Sequence, residues 1–163
     1  MNSPQNHDTE LGSQPPRRWR RDEENASPSL RERGLPQADV PEQRIRHVFG
    51  LSGNTSLPRV SHRTLQAYYQ HLAGHLSFPF LARYWEEVSP LESVCHIVTV
   101  LRLADPERQR AEASSGIRCV ACVENRTVEL PLAELELHNG TGNSRLIEDY
   151  WYWLWNWRSD AGA

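Results

Sequence analysis

Hydrophobic positions are sparse at the start of the chain and dense after it. Residues 1–56 contain one tryptophan and no tyrosine, and their few apolar residues follow neither a helical nor a strand period. Such a polar, proline-rich stretch cannot bury enough apolar surface to offset the entropy lost on ordering. The sequence therefore predicts a disordered tail over residues 1–56 and one folded domain over residues 57–160. The apolar residues within 45–51 are expected to dock only weakly on that domain.

A helical period opens the folded part. Apolar side chains recur at spacings of three and four between residues 65 and 76, and either Ser61 or Thr64 can cap the helix N-terminus. The Phe-Pro-Phe sequence at residues 78–80 ends this helix, because the residue before a proline is pushed out of the α region.

Alternating and β-branched stretches then indicate an antiparallel sheet. Residues 94–103 carry apolar side chains on both alternating faces, which predicts a central strand buried on both sides. Residues 117–123 and 127–130 predict a hairpin, although its turn lacks the preferred glycine. Residues 132–137 predict a short edge strand. Strands of this number and length indicate a small curved antiparallel sheet or an SH3-like barrel.

The closing segment, residues 145–158, is compatible with two periods. Four tryptophans alternate as in a strand, whereas a helical period groups Tyr150, Trp153 and Trp157 on one side. Glu148 and Asp149 favour a helix, because carboxylates in a first turn interact with the positive end of the helix dipole. We predict a helix, so the fold class is α+β, with the sheet or barrel between an N-terminal and a C-terminal helix.

Composition narrows the classes of function. All 18 basic residues are arginine, so Schiff-base and phosphate-loop lysine chemistry is excluded. The net charge of −3 creates no field that attracts nucleic acid. The sequence contains no apolar run long enough for a membrane span and no secretory signal, and three cysteines cannot form a disulfide framework. We therefore expect a cytoplasmic protein that binds neither nucleic acid nor membrane.

Two motifs with possible chemistry have simpler explanations. His71 and His75 stand four residues apart on the predicted helix, but the zinc-protease pattern needs a glutamate where Leu72 stands, so they form a surface pair. Cys119 and Cys122 are three residues apart on a predicted strand, which points their sulfur atoms to opposite faces. Since no nucleophile has a recognisable base beside it, we expect that the protein is not an enzyme.

Paired carboxylates beside aromatic residues are the remaining candidates for chemistry. The pairs are Glu86 and Glu87, Glu134 and Glu136, and Glu148 and Asp149. Calcium binds six to eight oxygen atoms, and carboxylates held close together repel one another unless a cation lies between them. On spacing alone, an ordinary solvated acidic face explains the pairs as well, and the sequence contains no EF-hand loop.

Four segments carry a family resemblance, and the specific parts are Phe-Pro-Phe at 78–80 and Asp-Tyr-Trp-Tyr-Trp at 149–153. The segments are residues 65–72, 76–87, 129–137 and 146–158. Together they resemble the small calcium-binding protein family best known from cyanobacteria, which is distinct from EF-hand proteins. The resemblance covers about residues 62–158. It implies an α+β domain that binds Ca²⁺ through surface carboxylates, as an intracellular buffer or sensor. The implied ligands are Glu86, Glu87, Glu148 and Asp149, followed by Glu134 and Glu136.

A second hypothesis needs no metal. An SH3-like protein-interaction module could bind a peptide in an aromatic groove, because tryptophan is enriched at interface hot spots. The anchors would be Trp85, Trp151, Trp153 and Trp155. The sequence leaves open whether the protein has a protein partner or forms a homo-oligomer.

Overall fold

The structure, a computed structural model, describes residues 40–107, 116–138 and 140–158. The described residues form three helices and one sheet, so the predicted α+β class is confirmed. In chain order the elements are α1 Pro41–Val48, α2 His62–His75, β1 Phe80–Ser89, β2 Glu92–Leu103, β3 Arg118–Val123, β4 Arg126–Pro131, a 3₁₀ turn Leu132–Glu134, β5 Leu135–Glu136 and α3 Gly142–Asn156. Across these ranges, no helix combines the length and the apolar character that a membrane crossing requires.

The strands form one antiparallel sheet in the order β4-β3-β2-β1-β5. The sheet is open, with β4 and β5 at its edges. Of the two predicted architectures, the structure therefore has the antiparallel sheet and not the SH3-like barrel. Strand β1 was not anticipated from the sequence. Its second half is almost entirely exposed, so it lacks the alternation of apolar and polar residues by which a strand is recognised.

Strand β2 is central, as predicted, but only one of its faces is buried. Val98 and Val100 are fully buried, whereas Ile97 is 61% and Leu101 43% exposed on the other face. The prediction of burial on both sides is therefore wrong. Its physical reason is that the helices cover a single face of the sheet in the part of the chain that the structure describes.

The predicted hairpin and edge strand are both present, with different details. Glu124 and Asn125 form a two-residue turn in which both have positive φ angles, 47° and 65°, as a type I′ turn requires. The edge strand is shorter than predicted. Leu132 and Ala133 are both buried and lie in the 3₁₀ turn, so only Leu135–Glu136 pairs with β1.

Helix α1 lies inside the stretch predicted to be a disordered tail. Pro41 occupies the first turn of the helix, a favoured position, and Ile45 is fully buried in the core. The tail prediction is therefore wrong for residues 41–48, because eight residues are too few to show a clear helical period. Residues 1–39 lie outside the described residues, and there the disorder remains a prediction.

Aromatic rings join the three helices. The Tyr68 ring of α2 stacks on the Trp153 ring of α3 with centroids 5.0 Å apart. Phe49, directly after α1, has its ring centroid 5.7 Å from that of Tyr68 and 5.2 Å from that of Trp153. The helical prediction for the closing segment is correct, and so is the Ser61 cap of α2, which forms a capping box with Thr64.

Helix α3 is also tied to the start of β3 at one tight point. The backbone N–H of Ile117 donates to the buried Tyr150 hydroxyl at 2.6 Å. Gly116 has φ of +69°, and a Cβ atom at this position would stand 2.5 Å from that hydroxyl. Glycine is required here, because any side chain would combine an unfavourable backbone conformation with a steric clash.

Candidate metal centre

Four of the six predicted ligands lie along one edge of the sheet. Glu86 and Glu87 belong to β1, and β5 pairs with β1 so that Arg83 stands opposite Glu136. Glu134 is in the 3₁₀ turn immediately before β5. The pairing of β1 with β5 therefore brings Glu134 and Glu136 beside β1, in which the consecutive residues Glu86 and Glu87 point to opposite faces of the sheet. We call the set Glu86, Glu87, Glu134 and Glu136 the edge patch.

The carboxylates of the edge patch influence one another electrostatically. Partial desolvation raises the pKa of Glu134, the Arg118 guanidinium lowers it, and the neighbouring Glu87 carboxylate raises it further. Desolvation also raises the pKa of the Tyr84 hydroxyl, with further increases from Glu134 and then Glu86. The Glu87 and Glu134 carboxylates thus repel each other, and a divalent cation between them would relieve that repulsion.

Hydrogen bonds orient two members of the edge patch. Glu86 Oε2 lies 2.9 Å from His96 Nε2 on the adjacent strand, and the Glu86 side chain is 55% exposed. The indole N–H of Trp85 donates to Glu136 Oε2 at 2.9 Å. His96 and Trp85 therefore each hold one of these carboxylates in a fixed orientation.

Asp149 does not belong to this patch. Its carboxylate is buried, with Oδ2 accepting from Arg44 Nε at 2.7 Å and Oδ1 from Arg44 Nη2 at 2.6 Å. Both oxygens are thus engaged by a guanidinium from α1, which gives Asp149 a structural role. The adjacent Glu148 is half-buried on α3. The structure therefore does not place Asp149 with Glu86 and Glu87, and its carboxylate is instead paired with Arg44 of α1.

The edge patch is not a ready-made calcium shell. Within residues 40–107, 116–138 and 140–158, no three or more His, Cys, Asp or Glu side chains are placed to hold a metal ion together. Calcium needs six to eight oxygens, so the patch as placed does not fit the ion without rearrangement of its side chains and the addition of water oxygens.

The aromatic groove of the second hypothesis is not formed. Trp153, one of its four proposed anchors, is fully buried and donates its indole N–H to the Pro58 carbonyl at 2.9 Å. Trp85 lies on the sheet, 48% exposed, whereas Trp151 and Trp155 lie on α3. Because the sheet is open and Trp153 is buried, the four tryptophans do not form the predicted SH3-like groove.

The cysteine pair is equally unsuited to chemistry. Cys119 is fully buried, and burial raises the pKa of its thiol to about 12. Cys122 is half-buried and Cys95 is exposed, and all three thiols are free. A thiol with so high a pKa is not a nucleophile at neutral pH, in agreement with the interpretation of these cysteines as small apolar residues.

A comparison with known protein families shows to which family the chain belongs. A family model described as "Calcium binding", of the CcbP type, matches residues 61–154. The chain belongs to this calcium-binding family. Calcium is therefore the ion that the family assigns to this domain, in agreement with the resemblance noted in the sequence.

Two solved structures are similar to the chain. One, described as a calcium binding protein in the calcium-binding form, has a TM-score of 0.55 and 16% identity, and the match covers 77% of this chain and 98% of that one. Another is CcbP of Anabaena, with a TM-score of 0.46 and 17% identity over 78% of this chain and 91% of that one. No curated protein matches the chain. At 16% identity, the first match establishes the fold alone.

Proposed function

We propose that this CcbP-family domain is a calcium buffer that binds the ion at the edge patch, where the site assembles as the ion arrives. The observation that carries the proposal is the pairing of β5 with β1, which places Glu134 and Glu136 beside the strand that bears Glu86 and Glu87. The Glu87 carboxylate also raises the pKa of Glu134. Like charges held together store repulsion that a divalent cation releases, and calcium prefers such hard oxygen donors.

The position of the patch favours a buffer over a sensor. A sensor must move packed elements when calcium binds, whereas a buffer barely changes shape. The edge patch lies on β1, the 3₁₀ turn and β5, while the Arg44–Asp149 ion pair and the stacked Tyr68 and Trp153 rings hold the helices together. Binding at the edge therefore requires side chains to rearrange but leaves the helices in place.

The affinity should be modest and sensitive to salt. A site that must first gather its ligands loses part of its binding energy to ordering them, so we expect a dissociation constant of about 10⁻⁵ M, weaker than the roughly 10⁻⁹–10⁻⁸ M of preformed EF-hand buffer sites. Exposed carboxylates are also screened by salt. Arg118 stabilises the ionised form of Glu134, so it competes with calcium for the same negative charge. The free thiols agree with a reducing, cytoplasmic setting.

Isothermal titration calorimetry of the full chain tests this proposal. We expect calcium heat that magnesium does not reproduce, and an affinity at least about tenfold lower for Glu87→Gln/Glu134→Gln, which removes two charged ligands. The matched control is Glu148→Gln on α3, which should bind calcium as the wild type does. Unchanged affinity in the double variant, or a loss in the control, would move the site away from the edge patch. No calcium heat at millimolar ion would reject calcium binding altogether.

The buffer role has its own readout in the ¹H–¹⁵N NMR spectrum. Calcium should shift backbone resonances of β1, β5 and the 3₁₀ turn, together with the Trp85 indole N–H that donates to Glu136. Resonances of the buried Trp153 should stay in place. Large shifts throughout α1 and α3 would instead identify a sensor.

A further inference from the structure

Two histidines form a close pair on the surface, away from the edge patch. His75 is the last residue of α2 and His71 lies one turn earlier, so the two stand four residues apart on one face of the helix. Their ring centroids are 4.2 Å apart and the ring planes differ by 25°. His75 is exposed and His71 is half-buried, so an ion can reach both from solvent.

The hydrogen bond of His75 prepares one of its nitrogen atoms as a ligand. Its Nδ1 lies 2.7 Å from the His71 carbonyl oxygen. A carbonyl oxygen can only accept, so Nδ1 carries the hydrogen and donates it. The neutral His75 ring therefore keeps its lone pair on Nε2. This is the arrangement of metal-binding histidines, in which a backbone carbonyl fixes the tautomer and the ring orientation.

The surroundings of His71 favour its neutral form, which is the form that binds metals. Partial burial lowers the pKa of His71, His75 lowers it further, and the Asp149 carboxylate raises it by a smaller amount. The Tyr68 ring packs edge-on against the His71 ring, with centroids 6.1 Å apart. The imidazole is thus restrained on its inner side by an uncharged neighbour.

The separation of the two rings suits a single ion. Zinc–nitrogen bonds are about 2.0–2.1 Å long, so two imidazole nitrogens on one tetrahedral ion lie roughly 3.3 Å apart and their ring centroids roughly 5 Å apart. The observed 4.2 Å differs from this by less than about 1 Å. Because the rings are stacked, both must also turn until the lone pairs of their nitrogen atoms converge on one ion.

The position at the C-terminal end of α2 also favours a cation. The last carbonyl groups of a helix carry partial negative charge, which attracts positive ions. Gly74 weakens this turn, because glycine in a helix costs about 1 kcal/mol relative to alanine. An ion bound by residues on either side of the last turn would restrain it and would raise the thermal stability of the protein.

We infer that His71 and His75 form a binding site for a nitrogen-preferring divalent transition metal, of the class of Zn²⁺, Ni²⁺ and Cu²⁺, with water completing the coordination. The site is separate from the calcium edge, because imidazole nitrogen suits these metals whereas calcium selects oxygen. The inference does not rest on the proposed calcium function.

The test is a zinc titration of the untagged full chain, followed by calorimetry and thermal unfolding. The wild type should bind Zn²⁺ and gain thermal stability as zinc is added, and EDTA should reverse the gain. His71→Gln and His75→Gln should each weaken zinc binding at least about tenfold, since losing a ligand exceeds the roughly 10–100-fold cost of losing a second-shell partner. The matched control, His62→Gln at the exposed start of the same helix, should bind zinc as the wild type does.

Three outcomes would overturn the inference. They are no zinc binding at millimolar ion, unchanged zinc affinity in both pair variants, and displacement of zinc by millimolar calcium. The calcium titration of each variant keeps the two sites distinguishable, because both pair variants should bind calcium normally. A normal circular dichroism spectrum for each variant excludes unfolding as the cause of a loss.

Discussion

The buried ion pair between Arg44 and Asp149 gives the sharpest prediction on stability. Arg44→Ala should destabilise the protein markedly, because it leaves the Asp149 carboxylate buried without its guanidinium partner. Asp149→Asn should cost less, since the amide keeps the shape and can still accept one hydrogen bond from Arg44. Neither substitution should change calcium affinity, because the pair lies outside the edge patch.

The magnitude follows from how far the pair is buried. Removing one partner of a fully buried ion pair costs about 3–5 kcal/mol, whereas an exposed pair contributes about 0–1 kcal/mol. The Asp149 side chain is 10% and that of Arg44 25% exposed, and both guanidinium contacts are short. We therefore expect a loss of about 2–4 kcal/mol for Arg44→Ala and about 1–2 kcal/mol for Asp149→Asn.

Urea unfolding followed by tryptophan fluorescence measures these losses, and the double variant completes a cycle that isolates the coupling. The matched control is Arg63→Ala, an exposed arginine on α2 whose loss should change the free energy of unfolding by less than about 0.5 kcal/mol. The reasoning is refuted if Arg44→Ala costs no more than this control, or if the coupling is zero. Loss of calcium binding in Asp149→Asn would restore the ligand role predicted from the sequence.

Three further predictions concern single positions. Glu134→Gln should stabilise the calcium-free protein at pH 7, because the raised pKa of Glu134 means that its ionised carboxylate is disfavoured in the folded state. This gain in stability should disappear as the pH falls below the ordinary pKa of 4.5, where Glu134 is protonated in both the folded and the unfolded state. A difference in unfolding free energy between variant and wild type that does not change with pH would contradict the prediction. Gly116→Ala should cost about 2 kcal/mol or more in urea unfolding, whereas Gly74→Ala, with open space around its Cβ, should stabilise by about 0.5–1 kcal/mol. A thiol reagent at pH 8 should label the exposed Cys95 rapidly and the buried Cys119 only after unfolding; equal rates would show that the core opens.

The elements that the sequence predicted are those with a local signal. Helix α2 has a Ser61 capping box and a helical period, and both operate within a few residues. The turn at Glu124 and Asn125 is likewise specified by its immediate neighbours. Strand β1 has no such signal, because its outer face is exposed and its polar residues mask the alternation. It is defined by the strands on either side of it, which only the folded chain brings together.

The sequence indicated which types of residue could form the candidate metal site, but not which of these residues lie close together. The residue types and the family pattern proposed the carboxylates as candidates, but which of them lie on neighbouring elements depends on the pairing of β5 with β1. The exclusion of Asp149 depends on Arg44, which is 105 positions away in the chain. An ion pair between residues so far apart has no signature in a single sequence, so the sequence alone could not distinguish a ligand role for Asp149 from an ion pair with Arg44.

Helix α1 has a consequence for how this protein can be divided. The family match begins at residue 61, but α1 ends at Val48 and provides both the fully buried Ile45 and the counter-ion of Asp149. A fragment trimmed to the matched segment would uncover the rings of Tyr68 and Trp153 and leave a bare carboxylate in an apolar setting. The unit that folds is thus longer than the segment that the family model matches, and fusions or truncations should be placed before residue 41.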